Sequence, residues 1–465
     1  MDFSSDPDKV ERNDVKAKLL WAPKHNPNLV SRLDVQHQSQ KGPYLNQVNL
    51  GDSGDYTAST DKLNHRIGNT SLSSVASNTT YQLDANRSVD VLLSASSMDA
   101  GFAHNWTVAQ TTTARYFNSR SKQDGLGAEV RVNLGFPESG VKSMVGVSHF
   151  QDDMAVLAKF YSGGIVYSGD TKTTAHSVFG ELDYPLTDRL ALTAGGRVER
   201  ESQERSITNG TVTATRNESK TYVLPRLGTR YKLDPQTVAG LDVRRGYNPA
   251  GISMDVDQNK IDSYKAEYVT AIEASLKQSF NGGKGSWAVN LFHNVFKDYQ
   301  AKNGTLISNV DEATIRGIEL EVSSQLGKTT QVHANASVQS GKVNRFSANM
   351  AYVGNQLPYA APRTLGAGVT HRLTPQLVLS ANAKYVAAYH VDISNAAGAG
   401  QKAKAGGYTL VGMGASYALS QQASVRTYVN NVFDKYVVNT YFQGTTTQDV
   451  LAPRTVGVQL DYKFW

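Results

Sequence analysis

Thr455-Val456-Gly457-Val458-Gln459-Leu460-Asp461-Tyr462-Lys463-Phe464, close to the C-terminus, alternates without a break. Val456, Val458, Leu460, Tyr462 and Phe464 fall on one side of an extended chain, and Thr455, Gly457, Gln459, Asp461 and Lys463 on the other. This is the period of a strand with one apolar and one polar face. The same period returns upstream in Thr330, Val332, Ala334, Ala336 and Val338, set against Gln331, His333, Asn335, Ser337 and Gln339. It returns again in Leu377, Leu379, Ala381, Ala383 and Tyr385, set against Val378, Ser380, Asn382 and Lys384. Helical spacing fits none of these stretches.

Outward from these strands, turn residues mark nine short connections, at 22–28, 84–87, 135–141, 185–188, 233–236, 281–285, 326–328, 374–376 and 419–422. Between them lie longer polar segments, such as 39–74, 101–115, 151–171, 205–220, 340–356 and 392–405. Short and long connections alternate. An outer-membrane barrel gathers short turns at its periplasmic end and long loops outside, whereas a soluble sandwich has no reason to sort them. The expected fold is therefore all-β, a transmembrane antiparallel β-barrel. Nine turns join eighteen strands, and the last strand makes about nineteen. Trp21, Tyr81, Tyr184, Tyr231, Tyr417 and Tyr462 stand at strand ends, where interfacial aromatic girdles belong.

Composition narrows the function. With no cysteine among 465 residues, disulfides and thiolate metal sites are excluded. No apolar run approaches the ~20 residues of a membrane helix, so any membrane role falls to strands. The net charge of +6 comes from scattered basic residues, which leaves no nucleic-acid footprint. G-x-S-x-G, H-E-x-x-H and P-loop patterns are all missing and the ten histidines are dispersed, so the chain reads as no enzyme and calls for no cofactor or metal. The Asp152-Asp153 and Asp52/Asp55 pairs lack calcium-loop spacing and read as solvated acids.

Several stretches resemble the barrel signatures of the TonB-dependent outer-membrane receptors, importers of iron siderophores, cobalamin and some sugars. Val223-Leu224-Pro225-Arg226-Leu227 and Arg245-Gly246-Tyr247-Asn248-Pro249 are similar to the family's LPR and RGY segments. Glu273-Ala274-Ser275-Leu276-Lys277 resembles its E-x-G-x-K strand, with Ser275 in the glycine's place. The residues from Asn309 to Glu321 follow N-x-x-x-A-x-I-x-G-x-E-x-E, and Asn430-Asn431-Val432-Phe433-Asp434-Lys435-Tyr436 resembles N-N-x-F-D-K-Y. The Pro453-Arg454-Thr455 strand completes the set, with Trp465 one residue past the family's terminal aromatic.

The resemblance implies a barrel of twenty-two strands in the cell outer membrane, of which the first three are missing here. It also implies a preceding plug domain that carries the TonB contact. Residues 1–6 show no export signal. The expected organisation is a disordered or loop remnant over 1–14 and a partial receptor barrel over 15–465, without plug or TonB contact segment. The implied function is uptake of a ferric siderophore or similar large ligand. A passive porin-like or structural barrel, or an outer-membrane barrel enzyme, are the alternatives. The implied ligand-binding residues are Arg197, Arg244 and Lys384 near the outer rim, Tyr247, Tyr389 and His390 just beyond, and Trp106 on a long loop. Arginines hold anionic ligands and aromatics stack on aryl groups, but inward arginines also pair simply with wall carboxylates. Outer-membrane lipid and lipopolysaccharide are the surrounding partners.

Overall fold

A computed structural model describes residues 10–43, 47–49, 66–107, 114–160, 165–255, 260–303, 306–397, 402–441 and 447–463. The fold is built on nineteen long strands, each antiparallel to the neighbours it pairs with. They are β1 (Glu11–Trp21), β2 (Leu29–Pro43), β3 (Arg66–Asp84), β4 (Arg87–Thr107), β5 (Ala114–Phe136), β6 (Val141–Phe160), β7 (Ile165–Pro185), β8 (Leu190–Thr208), β9 (Thr213–Lys232) and β10 (Thr237–Asn248). The remainder are β11 (Glu267–Phe280), β12 (Gly285–Asn303), β13 (Leu306–Leu326), β14 (Thr330–Arg345), β15 (Arg363–Arg372), β16 (Leu377–Val386), β17 (Tyr408–Ala418), β18 (Ala423–Asn430) and β19 (Thr455–Tyr462).

Two compact units divide the chain, one comprising 1–45, 59–228 and 249–264, the other 46–58, 229–248 and 265–465. In the first, β1 to β8 pair in sequence order. In the second, β10 to β19 do the same. No described helix is long and apolar enough to cross a membrane.

Each face keeps its character across the ladders. In the first unit Val147, Val178 and Val198 are direct neighbours on three strands. In the second, Leu241, Ala274, Leu291, Ile318 and Val338 are neighbours on five. This apolar face is the uncovered one: Leu93 is 52% exposed, Leu291 51% and Val458 74%. A two-layer sandwich buries such residues; lipid solvates them, provided the backbone pairs internally. Trp21, Tyr81, Tyr184, Tyr231, Tyr417 and Tyr462 are all exposed and in step with apolar positions of their strands, as a girdle requires.

Residues two apart on a strand share a face, and the polar face uses that spacing for ion pairs. Arg32–Asp34, Arg131–Glu129, Arg197–Glu199, Arg216–Glu218 and Arg244–Asp242 all follow it. Gly317 sits on this face because Phe292 and the next strand leave no room. A Cβ there would lie 2.5 Å from the Val338 carbonyl oxygen and 2.7 Å from Phe292 Cζ. Gly317→Val is expected to destabilise the sheet by about 1–3 kcal/mol, read as a lowered urea midpoint in vesicles. An unchanged midpoint would contradict the packing.

Three expectations are corrected. β1 begins at Glu11, so residues 11–14 belong to the sheet, not to a disordered remnant. Of the connection expected over 151–171, residues 151–160 and 165–171 are strand, and the connection expected over 205–220 shrinks to 209–212. Trp106 is no loop residue: it is paired with Arg115 at the end of β4. In each case the ladder runs on further than the turn residues mark. At 209–212 a tight turn closes the hairpin, with Gly210 at φ 85° and Asn209 Oδ1 accepting from the Thr211 and Val212 amides. Asp152 and Asp153 are successive strand residues on opposite faces, so they share no ion. Asp52, Asp55, Phe464 and Trp465 lie outside the described residues.

Candidate functional site

Of the seven candidate residues, Trp106 and Arg197 belong to the first unit and Arg244, Tyr247, Lys384, Tyr389 and His390 to the second. Arg197 is eight residues into a nineteen-residue strand, in the half nearer the short turn. Its Nε donates to Glu199 Oε2 at 2.7 Å and its Nη2 to Ser148 Oγ at 3.1 Å, while the guanidinium stands 5.5 Å from the Phe179 ring centre. The expectation of a rim position fails because β8 extends well beyond it. Arg244 bridges Asp242 and Glu273 on the polar face. Both arginines are held by wall carboxylates. Tyr247 is in register with Tyr268 and in step with Leu241 and Val243, so it lies on the apolar face, opposite Arg244. Lys384 is exposed on the polar face of β16, between Gly366 and Leu410. The side chain of Trp106 lies outside the described residues.

Tyr389 and His390 do come together, with residues the sequence did not single out. A short ladder pairs Tyr389 with Ala405 and His390 with Lys404. Tyr389 packs in a cluster with Ala361, Val386, Ala405 and Tyr441, flanked by Tyr408, Val391 and Val438. Its hydroxyl donates to the Asn439 carbonyl oxygen at 2.8 Å. Above it, 6.0 Å between ring centres, stands Tyr359, which is 57% exposed. The Tyr359 hydroxyl lies 2.9 Å from Thr440 Oγ1, and its amide donates to the His390 carbonyl at 2.8 Å.

Tyr359 has φ of 58°, a region that costs an L-residue about 1–2 kcal/mol. The connection is held rigidly enough to sustain this. Asn355 Nδ2 donates to the carbonyls of Ile393 and Ser394, and Asn395 donates to the Gln356 carbonyl. Beneath them Val310, Val343, Phe346, Leu357 and Ile393 form a buried cluster. An aromatic ring presented on strained, well-anchored backbone is a feature of ligand-contacting sites.

Burial pushes the Tyr389 phenol up to about 12, assisted by Tyr408, Tyr359 and Asp449, so it stays a hydrogen-bond donor at any physiological pH. Burial, and then Lys404, hold His390 below its ordinary value of 6.5, and its buried Nδ1 has no protein partner. Because the folded value is the lower one, the neutral ring's contribution is complete above 6.5 and is lost as pH falls toward the folded value. Hydrogen exchange over residues 387–391 is therefore expected to be faster at about pH 5.5 than at about pH 7.5, after correction for intrinsic rates, and His390→Gln removes the difference. Equal or greater protection in acid would contradict this.

A meander of long strands, apolar and uncovered on one face, polar and ion-paired on the other, with an aromatic girdle, defines an outer-membrane β-barrel. More narrowly, the chain belongs to the family described as TonB dependent receptor-like, beta-barrel, whose profile matches residues 20–432. The ferric-pyoverdine BN7/BN8 receptor of Pseudomonas putida is 22% identical over 288 residues, which cover 60% of this chain and 33% of that receptor. The chain thus spans about a third of that relative's length. The ferric yersiniabactin uptake receptor FyuA of Yersinia pestis superposes with a TM-score of 0.85 at 16% identity, over 98% of this chain and 71% of its own. The ferric-catecholate import receptor Fiu of E. coli K12, in its closed form, does so with 0.78 at 15%, over 97% and 74%. These structures share the fold.

Proposed function

We propose that this chain is the membrane barrel of a receptor that takes up a ferric siderophore or a similar large ligand, with capture at the Tyr359–Tyr389 cluster. The observation that carries the proposal is an exposed tyrosine on left-handed backbone, beyond the long-connection end of strands that belong to a receptor-barrel family. Stacked phenols suit the aryl or chelate faces of such ligands, and Lys384 offers a cation for an anionic complex. Named relatives that bind ferric pyoverdine, ferric yersiniabactin and ferric catecholates support the ligand class. TonB is proposed as the partner of the whole protein rather than of these strands. The proposal assigns binding and passage, not catalysis.

Binding of radioiron-labelled pyoverdine, yersiniabactin and catecholate complexes to cells expressing the protein tests it. Saturable binding of one class, lost with Tyr359→Ala and Tyr389→Ala, is the expected result. Binding indifferent to both substitutions, or none with any complex, overturns it.

A further inference from the structure

The histidines are dispersed in sequence, yet strand register brings two of them together. His149 on β6 and His176 on β7, both in the first unit, are direct cross-strand neighbours. They continue the face of Val147, Val178 and Val198, one step nearer the Phe160 end of β6. The row reads Ala128, His149, His176 and Arg200 across four strands. His149 is half-buried and His176 exposed.

The two rings aim the same atom at each other. Nδ1 lies 3.3 Å from Nδ1, with ring centres 4.7 Å apart and ring planes tilted by 38°. That separation is long for a hydrogen bond from a nitrogen donor, which prefers about 2.9–3.0 Å. It is the distance two nitrogens keep when they share one tetrahedral ion, since two bonds of about 2.05 Å at the tetrahedral angle set them about 3.3 Å apart. Histidines left to solvent turn their nitrogens toward water, not toward one point between them. The pair also opens into a hollow walled by Leu93, Ala128, Val147, Val178 and Val198, which leaves room for an ion and limits the water that competes for it.

We propose that His149 and His176 chelate Zn²⁺ through their Nδ1 atoms, with water completing the tetrahedron. Imidazole suits this ion, and the 3.3 Å separation selects tetrahedral geometry over the closer approach that square-planar or octahedral ions require. The hydrogen-bonded pair holds one proton between its Nδ1 atoms; on binding, that proton passes through solvent to Nε2, and both rings become Nε2–H tautomers. With two protein ligands the site exchanges its ion, unlike a closed structural centre. Arg200, in register with His176, is the neighbouring cation, and its long stem lets the guanidinium turn out to solvent. Chelation fixes the β6–β7 register, because a slip of one residue carries one histidine to the opposite face. The site is independent of ligand capture at the Tyr359–Tyr389 cluster.

The test uses the full chain folded in detergent micelles, with Zn²⁺ as the probe and Co²⁺ as its spectroscopic stand-in. Equilibrium dialysis should show saturable Zn²⁺ binding that weakens at least about tenfold in His149→Gln and in His176→Gln, the scale on which even a ligand's hydrogen-bond partner matters. Bound Co²⁺ should give the intense visible bands of a tetrahedral site, and both variants should lose them. Should the variants misfold, the wild-type protein still decides. Diethyl pyrocarbonate acylates a ring nitrogen that carries a lone pair, so Zn²⁺ on Nδ1 and a proton on Nε2 should protect His149 and His176 together, while exposed His25 reacts as before. Equal Zn²⁺ binding in wild type and both variants, an octahedral Co²⁺ spectrum, or Zn²⁺ protection that spares all three histidines or none overturns the site.

Discussion

Leu291→Arg is expected to cost about 2–4 kcal/mol of folding free energy in a lipid bilayer, while Asn290→Arg, one residue earlier, costs little. Leu291 lies seven residues into β12, flanked on the apolar face by Ala274 and Ile318. An arginine there strands a guanidinium in hydrocarbon far from either interface, and neither neighbour can accept a hydrogen bond from its side chain. Asn290 lies on the polar face between Ser275 and Glu319, so an arginine at that position meets a carboxylate. Urea titration of both variants in vesicles reads the difference. Equal midpoints would show that the two faces do not have different solvents.

The second large effect concerns Tyr359. Tyr359→Gly is expected to move stability and binding in opposite directions. Glycine adopts a φ of 58° without strain, so the fold gains about 1 kcal/mol, less what is lost with the Thr440 contact. The exposed ring contributes little to burial. Ligand affinity should fall at least about tenfold, the scale of an aromatic hot spot. Thermal unfolding together with iron-complex binding on the same preparation checks both. If stability and affinity both stay put, Tyr359 is neither strained nor in contact with ligand.

Where lipid imposes the pattern, the sequence was legible. Thr455 to Tyr462 and Thr330 to Val338 alternate because one face must be apolar, and the ladders found are the ones this alternation requires. Legibility ends where lipid does. Gln151, Asp152 and Asp153 remain in β6, paired with Thr174, Thr173 and Lys172, yet read as the start of a loop because three successive polar residues break the alternation, although Met154, Val156, Leu157 and Phe160 follow in the same strand. The same holds for 205–208 and 213–220, where the whole connection is a four-residue turn closed by Asn209 and Gly210.

Site residues followed a parallel rule. Simple parity from Leu241 already puts Tyr247 on the apolar face, so that placement was readable. The pairing of Arg244 with Glu273 was not, since it joins adjacent strands whose register depends on the intervening connection. Tyr359 escaped notice because no local pattern marks it. It follows Pro358 in a polar segment, and only the Asn355 and Asn395 ties, formed some forty residues apart in sequence, bring its backbone against His390. Tyr389 and His390 were found through their aromatic and basic character, but their neighbours Tyr408 and Tyr441 come from other strands and could not be assigned to them in advance.

Because the chain has no cysteine, single-cysteine spin labels report one position at a time without background. Scanning residues 288–295 in liposomes, with oxygen as the lipid-soluble collider and a nickel chelate as the water-soluble one, tests most directly whether the apolar face meets acyl chains. Labels at Val289, Leu291 and Val295 should collide with oxygen, and labels at Ala288 and Asn290 with nickel, alternating residue by residue. Protection of the apolar positions from both reagents, as in a sheet covered by a second layer, would contradict the account.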